Sequence, residues 1–394
     1  MTYEVGNMSL IWTVAGESSG DARAEELMHA IRAADPEVRF VGAGGPRMKV
    51  LAGEPFDDWI ADAAVVGLWD VLRHYGYFRR KFHGMIEAIG SLNPDAVLLV
   101  DYPGFNLRLA KALRRAGYIG KILYYISPQV WAWNRGRIPK MARLLDLMIC
   151  VFPFEKPMYE ASGLKTVFAG HPLLEALLRE QDPAVVRDRN MLALLPGSRR
   201  REVQRIFPLQ LAAAKIVAQR RPQTRFVVAV ASDAHADLVR QLAGNFPLEV
   251  RTGGARALMR TAGAGIVCSG TATLEAAFFG LPYCLVYKAA WLTFQIGMRV
   301  VDVNCLGIVN ILNNYRVHPP EDPGLPARPA PHIVKEFIQH FAKPEALAAE
   351  ALLLLDDESE RAKLAAGFES VLAMLRAGGA SERAALAILE EVRK

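Results

Sequence analysis

Leu10-Ile-Trp-Thr-Val14 runs directly into Ala15-Gly-Glu-Ser-Ser-Gly-Asp21, and the helical pattern of Ala22 to Ala33 follows. An apolar β-rich run, a turn of small polar residues and an amphipathic run read as strand, tight turn and helix. Backbone N–H groups at such a helix start lack intrahelical partners and lie at the positive end of the dipole. They can hold an anion or a hydroxyl-rich ligand. Glu17 and Asp21 would repel phosphate, so sugar hydroxyls or a reacting centre suit this turn better. The competing reading is a purely structural Gly-Ser turn.

Outward from that turn, short apolar runs alternate with helical ones. Strand candidates are Leu10–Val14, Val38–Val41, Ala96–Val100, Lys121–Tyr125, Leu147–Val151 and Thr166–Ala169. Helical patterns such as Leu107–Ala116 and Arg137–Leu144 fall between them. A polar break ending at Pro183 precedes a second series: Met191–Leu195, Phe226–Ala231, Leu248–Arg251, Ala264–Cys268 and Tyr283–Tyr287. Short continuous strands separated by helices imply parallel sheets covered on both faces. The expectation is an α/β chain of two facing, Rossmann-like doubly wound domains, 1–180 and 181–358. Ligands in such sheets bind beyond the carboxyl ends of the strands, so the cleft between the domains is the expected site. His318–Pro331 contains six prolines and reads as a loop. The Ala/Leu/Glu-rich tail, 359–394, reads as helices packing back on the first domain.

Composition narrows the class. With 394 residues, 52% of them hydrophobic and 22% charged, the chain can bury two sizeable cores. Its net charge of +6 and isoelectric point near 9.1 favour anionic partners: nucleotide phosphates, phospholipids or nucleic acid. The four cysteines, Cys150, Cys268, Cys284 and Cys305, lack CxxC spacing and read as buried thiols of a reducing compartment. The start of the chain shows no secretory pattern, and Lys288 and Arg299 interrupt the longest apolar candidate span, between Phe278 and Leu312. A cytoplasmic protein able to lie on a membrane is expected.

Four further stretches carry candidate chemistry. In Leu98-Leu-Val-Asp101-Tyr-Pro-Gly-Phe-Asn106, Asp101 ends a buried strand, placed as a general base or hydroxyl ligand. Its structural alternative is a cap for the next helix. Leu194-Leu-Pro-Gly197-Ser198-Arg199 combines a turn that lets the backbone approach closely, a hydroxyl and a guanidinium before a helix at Val203–Gln219. It is the better phosphate turn, unless it is merely a solvated helix start. Ser269-Gly-Thr271-Ala-Thr-Leu-Glu275 opens a helix with hydroxyls, and Glu275 is placed to take a ribose diol; the alternative is a capping box. From Val65 to Phe82, apolar and aromatic residues recur at helical spacing beside Arg79-Arg80-Lys81. That pattern suits an anionic membrane surface or an ordinary core face. It could also stack bases, but no recognisable nucleic-acid-binding module accompanies it.

There is no P-loop, no GxGxxG after the first strand, no HExxH and no His cluster with metal spacing. Facing α/β domains with one acidic and one basic turn fit a metal-independent glycosyltransferase using a nucleotide-sugar donor, in which Arg and helix N-termini offset the leaving pyrophosphate.

Ala15-Gly-Glu-Ser-Ser-Gly-Asp21, Val41-Gly42 with Gly45-Pro-Arg-Met48, and Ile126-Ser-Pro-Gln-Val-Trp-Ala-Trp133 form an ordered set with Pro153-Phe-Glu155, Gly170-His-Pro172, Leu195-Pro-Gly-Ser-Arg199 and Ser269–Glu275. The set resembles that of lipid-A-disaccharide synthases, from about residue 10 to the C-terminus. The resemblance implies an inverting glycosyltransferase of GT-B fold, with UDP-2,3-diacylglucosamine as donor and 2,3-diacylglucosamine 1-phosphate (lipid X) as acceptor. The products are the β-1,6-linked lipid A disaccharide 1-phosphate and UDP. It further implies a peripheral enzyme on the inner face of the inner membrane, with no cofactor, metal or nucleic-acid partner. Some members form homodimers by exchanging C-terminal segments, and the sequence leaves that open.

Residue by residue, the family's essential Asp falls on Asp101, to deprotonate or orient the acceptor 6-hydroxyl. Glu17, Ser19 and Asp21 fall at the acceptor or reacting carbon. Gly197, Ser198 and Arg199 match the pyrophosphate turn, and Ser269, Thr271 and Glu275 the UDP side. Val66, Leu68, Trp69, Leu72, Tyr75, Phe78, Arg79 and Arg80 match the membrane-contacting region. A late nucleotide-side motif appears in altered form as Asn310, Glu336 and Gln339. Asn310 follows Val309 rather than Pro, and the Pro-rich insertion separates it from the other two. Two competitors remain: a UDP-sugar 2-epimerase, and a non-catalytic lipid- or nucleotide-binding relative.

Overall fold

The apolar runs read from the sequence become strands of two parallel sheets. The computed structural model describes residues 9–60, 75–182, 184–290, 304–375 and 378–394. These form two compact units, residues 1–175 with 375–394, and residues 176–374.

The first unit holds seven strands: β1 (Leu10–Ala15), β2 (Arg39–Gly44), β3 (Phe56–Asp58), β4 (Ala96–Val100), β5 (Lys121–Tyr125), β6 (Leu147–Cys150) and β7 (Thr166–Phe168). They lie in the order β3-β2-β1-β4-β5-β6-β7, all parallel. β4 is buried at every position, as a strand covered by helices on both faces requires. The second unit holds β8 (Asp188–Leu195), β9 (Arg225–Val230), β10 (Glu249–Thr252), β11 (Ala262–Cys268), β12 (Tyr283–Tyr287) and β13 (Glu336–Ile338). Their order is β10-β9-β8-β11-β12-β13, again all parallel.

Both sheets are doubly wound, and each has one place where the strand order reverses: between β1 and β4, and between β8 and β11. At such a point the loops leaving neighbouring strands diverge to opposite faces and leave a crevice for a ligand. The four turns singled out from the sequence are the loops that leave β1, β4, β8 and β11.

The expected tail 359–394 is divided between the units. The helix Glu358–Leu372 belongs to the second, burying Leu364, Phe368 and Val371, with Phe368 stacked on Tyr283 at 5.7 Å. The helix Ala380–Val392 belongs to the first. Its Ala384, Ala385, Ile388 and Leu389 are buried, and its closest packing is on the helix Ser18–Ala34. The small side chains let the two helices pack closely. The Pro-rich stretch is anchored by buried asparagines on the helix Ile308–Val317: Asn313 Nδ2 donates to the Pro331 carbonyl (2.9 Å), and Asn314 Oδ1 accepts from the Ala330 N–H (2.8 Å). All four cysteines are buried free thiols.

Candidate functional site

At the first switch point, Asp101 and Tyr102 both take left-handed backbone angles, φ +48° and +47°. Two consecutive non-glycine residues there cost about 1–3 kcal/mol each and persist only when their surroundings fix them. The fixing bonds are specific. The Asp101 N–H donates to the Tyr125 carbonyl (2.9 Å), and the Tyr124 hydroxyl donates to the Asp101 carbonyl (2.5 Å). Asn106 Nδ2 bridges the Val100 and Asp101 carbonyls (3.2 and 2.7 Å). The following helix, Pro103–Arg115, starts on Tyr102 with no side-chain cap, so the Asp101 carboxylate is not its cap. Burial pushes this carboxyl above the usual range, opposed by the Tyr102 N–H and reinforced by the negative charge of Glu17.

Glu17 is exposed, and although it is the N-cap position of the helix Ser18–Ala34, its side chain makes no capping bond. Ser19 is exposed in the first helical turn. Gly16 brings the two turns together: a Cβ there would lie 2.1 Å from the Tyr102 ring, so only glycine lets the aromatic ring close over the loop. Trp59 closes the other side. It is fully buried, donates from Nε1 to the Ala15 carbonyl (2.8 Å) and packs against Phe105 (4.9 Å) and Tyr102 (6.2 Å). This aromatic wall carried no signal in the sequence beyond the Tyr-Pro-Gly-Phe spacing.

Asp21 faces the backbone of a neighbouring turn. It is buried, and its carboxylate accepts from the N–H groups of Gly45 (3.0 Å), Arg47 (3.2 Å) and Met48 (3.0 Å). It caps the short helix Pro46–Leu51 and ties two motifs of the resemblance together.

At the second switch point a cavity of ≈ 700 Å³ opens at the ends of β8, β9 and β11, touching Leu195, Val230 and Cys268. Gly197, Ser198, Arg199, Ser269, Thr271 and Glu275, all expected at a nucleotide, line it together. Gly197 has φ +110°, open to glycine and strained for other residues. Ser269 and Thr271 do not act as caps: the helix Thr271–Phe278 starts on Gly270, with no side-chain bond. The helix Arg200–Arg220 differs. Glu202 Oε2 accepts from the N–H groups of Ser198 (3.0 Å) and Arg199 (3.2 Å), and its Oε1 pairs with the Arg199 guanidinium (3.1 Å). A carboxylate of the chain itself occupies the anion seat read from the sequence.

Glu275 has a partner the sequence did not reveal. Arg256 reaches it from Nε (2.9 Å) and Nη2 (2.8 Å), while its Nη1 pairs with Glu180. Arg256 follows Gly253-Gly254, both at positive φ, a pair that on sequence reads as any loop after a strand. Gly253, Gly254, Arg256 and Glu180 all line the cavity.

Asn310, Glu336 and Gln339 lie together around β13. Asn310 is buried and its amide is saturated. It donates to the Val334 carbonyl (2.8 Å) and Glu336 Oε1 (2.7 Å), and accepts from Ile333 (2.9 Å) and Val334 (3.0 Å). Glu336 accepts from the N–H groups of Leu306 (2.8 Å) and Gly307 (3.0 Å) at the start of Ile308–Val317. Gln339 Oε1 accepts from the Ala289 N–H (3.0 Å). All three brace β13 and its neighbours and stand outside the cavity lining.

Of the expected membrane residues, Val66, Leu68, Trp69 and Leu72 lie outside the described residues, and Tyr75 is described only as the first residue of the helix Tyr75–Leu92. Arg79 and Arg80 are exposed, whereas Phe78 is half-buried against Trp59 at 6.2 Å. Phe78 thus joins the aromatic wall, because the helix turns that position inward. Among the described residues no helix is long and apolar enough to cross a membrane.

Comparison with known proteins adds an independent line. The lipid-A-disaccharide synthetase family signature matches residues 11–389. A lipid-A-disaccharide synthase of Trichlorobacter lovleyi is 39% identical over 397 residues, covering 98% of this chain and 99% of that protein. One of Geobacter metallireducens is 38% identical over 398 residues, covering 98% and 97%. Among solved structures, UDP-GlcNAc 2-epimerase of Neisseria meningitidis bound to UDP-GlcNAc superposes with TM-score 0.58 at 11% identity, covering 97% of this chain and 99% of that one. The calicheamicin glycosyltransferase gives 0.54 at 13%, covering 98% and 99%. The structural likenesses show the fold.

Proposed function

The chain belongs to the lipid-A-disaccharide synthetase family, and from that premise we propose how its residues divide the work. It is a UDP-sugar-dependent glycosyltransferase of GT-B-like fold that forms the lipid A disaccharide from a sugar-nucleotide donor and a lipid acceptor. The donor is UDP-2,3-diacylglucosamine and the acceptor 2,3-diacylglucosamine 1-phosphate. The acceptor 6-hydroxyl attacks the donor's anomeric carbon from the face opposite UDP. A new C–O bond forms, the bond to the diphosphate breaks with its electron pair leaving on UDP, and the configuration inverts.

Asp101 takes the hydroxyl proton. The observation that carries this assignment is its fixed left-handed turn, with the carboxylate released from capping and its proton affinity raised. Glu17 and Ser19 face the sugar beside it. Gly197, Ser198 and Arg199 receive the diphosphate once Glu202 gives up the Ser198 and Arg199 N–H groups, so that cationic and dipolar donors meet the charge as it develops. Glu275, oriented by Arg256, takes the ribose diol, with Ser269 and Thr271 beside the nucleotide. The basic stretch through Arg79 and Arg80 rests on the anionic inner face of the inner membrane, where both lipids reside.

Purified protein given both lipids in detergent should release UDP and form a tetraacylated disaccharide phosphate; no product sinks the assignment. The epimerase reading shares only the fold, at 11% identity against 38–39% for the synthases. UDP release that does not need the acceptor would favour that reading.

A further inference from the structure

The motif Ile126–Trp133 leaves β5 beside Asp101, and no role above uses it. Its backbone starts under strain: Ile126, a β-branched residue, has φ +67°. Its inner side is stapled to a buried carboxylate. Glu155 accepts from Ser127 Oγ (2.6 Å), Trp131 Nε1 (2.9 Å) and the Phe152 N–H (3.1 Å). The Tyr159 hydroxyl adds a bond to the Pro128 carbonyl (2.9 Å), and Val130 and Trp131 are 1% exposed.

The outer side is built differently. Trp133 is 40% exposed, and the Arg137 guanidinium sits over its ring at 4.7 Å. Arg135 is tied back through Nε to the Trp131 carbonyl (3.0 Å). Asn134-Arg-Gly-Arg-Ile-Pro-Lys-Met-Ala-Arg143 holds four cations and no carboxylate, and among the described residues Arg137 pairs with no acid. A rigid loop that buries one tryptophan and presents another to solvent under a guanidinium offers two surfaces at once. The indole suits the C–H face of a pyranose, and the guanidinium suits phosphate oxygens.

We propose that Trp133 and Arg137 form a binding subsite for a phosphorylated sugar ring, which takes the acceptor's pyranose and its phosphate beside Asp101. The inference rests on the glycosyltransferase reading above. The same phosphate chemistry is offered by anionic lipid headgroups, and the two sources are separated by experiment.

Trp133→Ala, Arg137→Ala and Arg137→Lys are made in the full chain, with wild-type thermal midpoints as the folding check. Acceptor and donor KM are measured separately, the acceptor with and without its phosphate. Sedimentation with phosphatidylglycerol-containing vesicles runs alongside. Each alanine variant should raise the acceptor KM about tenfold or more while donor KM stays. Arg137→Ala should no longer prefer the phosphorylated acceptor, and Arg137→Lys should recover part of that preference. Vesicle sedimentation should be unchanged. Wild-type turnover with unchanged acceptor KM in the variants overturns the subsite alone. Reduced sedimentation with acceptor preference intact assigns the patch to the bilayer and also overturns it. A wild type that forms no product overturns the reading underneath.

Discussion

Asp101 and Glu17 are neighbours whose charges are coupled: part of what raises the Asp101 carboxyl is the negative charge of Glu17, after burial itself. Glu17→Gln should therefore move the acid limb of the kcat/KM profile to lower pH, and an unmoved limb would separate the two residues. Asp101→Asn should fold normally and lose about 10²–10⁴-fold in turnover; wild-type-like rates would remove Asp101 as the base. Two buried groups of the first unit predict opposite pH slopes. Burial pushes Glu155 up to about 7 against its hydrogen-bond donors, so the stability linked to its proton is full below about 4.5 and lost as pH rises through 7. Burial, helped by the Arg23 charge, pulls His171 down to about 4, so its contribution is lost as pH falls from 6.5. Between about 4.5 and 6.5 the two offset one another. Relative to wild type, Glu155→Gln should make the thermal midpoint climb with pH across that window and His171→Asn make it fall. Parallel profiles for all three proteins would refute the pairing.

At the scale of elements, the helix Arg200–Arg220 predicts competition at its own N-terminus. Glu202→Ala frees the Ser198 and Arg199 N–H groups and should tighten UDP several-fold by calorimetry, while the lost cap lowers the midpoint by the equivalent of about 1 kcal/mol. Unchanged or weaker UDP affinity would show that the nucleotide does not need Glu202 to leave. The sequence made most of these elements legible. Ala96–Val100, Lys121–Tyr125 and Tyr283–Tyr287 are strands with the bounds expected, since unbroken apolar runs between turn residues have few other uses. β3 and β13 escaped notice because Phe56-Asp-Asp58 and Glu336-Phe-Ile338 are three residues long, half polar and at sheet edges. Roles inside motifs were less legible. Asp21 and Glu336 sit in motifs that carry chemistry, yet a carboxylate that faces a ligand and one that faces backbone N–H groups are written with the same letter. Arg256 shows the converse, a cavity residue introduced only by a Gly-Gly turn.

Over the whole molecule, the first unit depends on the end of the chain. Besides its apolar face, Ala380–Val392 brings Glu391 to Lys121 (3.1 Å) and Lys165 (2.9 Å), and Arg393 to Asp35 (2.7 Å). Ending the chain after Gly379 should lower the melting of the first unit, leaving the second near its original midpoint. Calorimetry of the two transitions checks this, and equal losses in both would contradict the division of the chain.

That division also sets an order in time. The unit 176–374 is encoded as one uninterrupted stretch, whereas its neighbour is interrupted and resumes only at residue 375. During synthesis from the N-terminus, the segment made second completes its core first. The segment made first waits, with the apolar face of Ser18–Ala34 uncovered, until the last fifteen residues arrive. The growing chain thus carries an open hydrophobic surface through most of its synthesis.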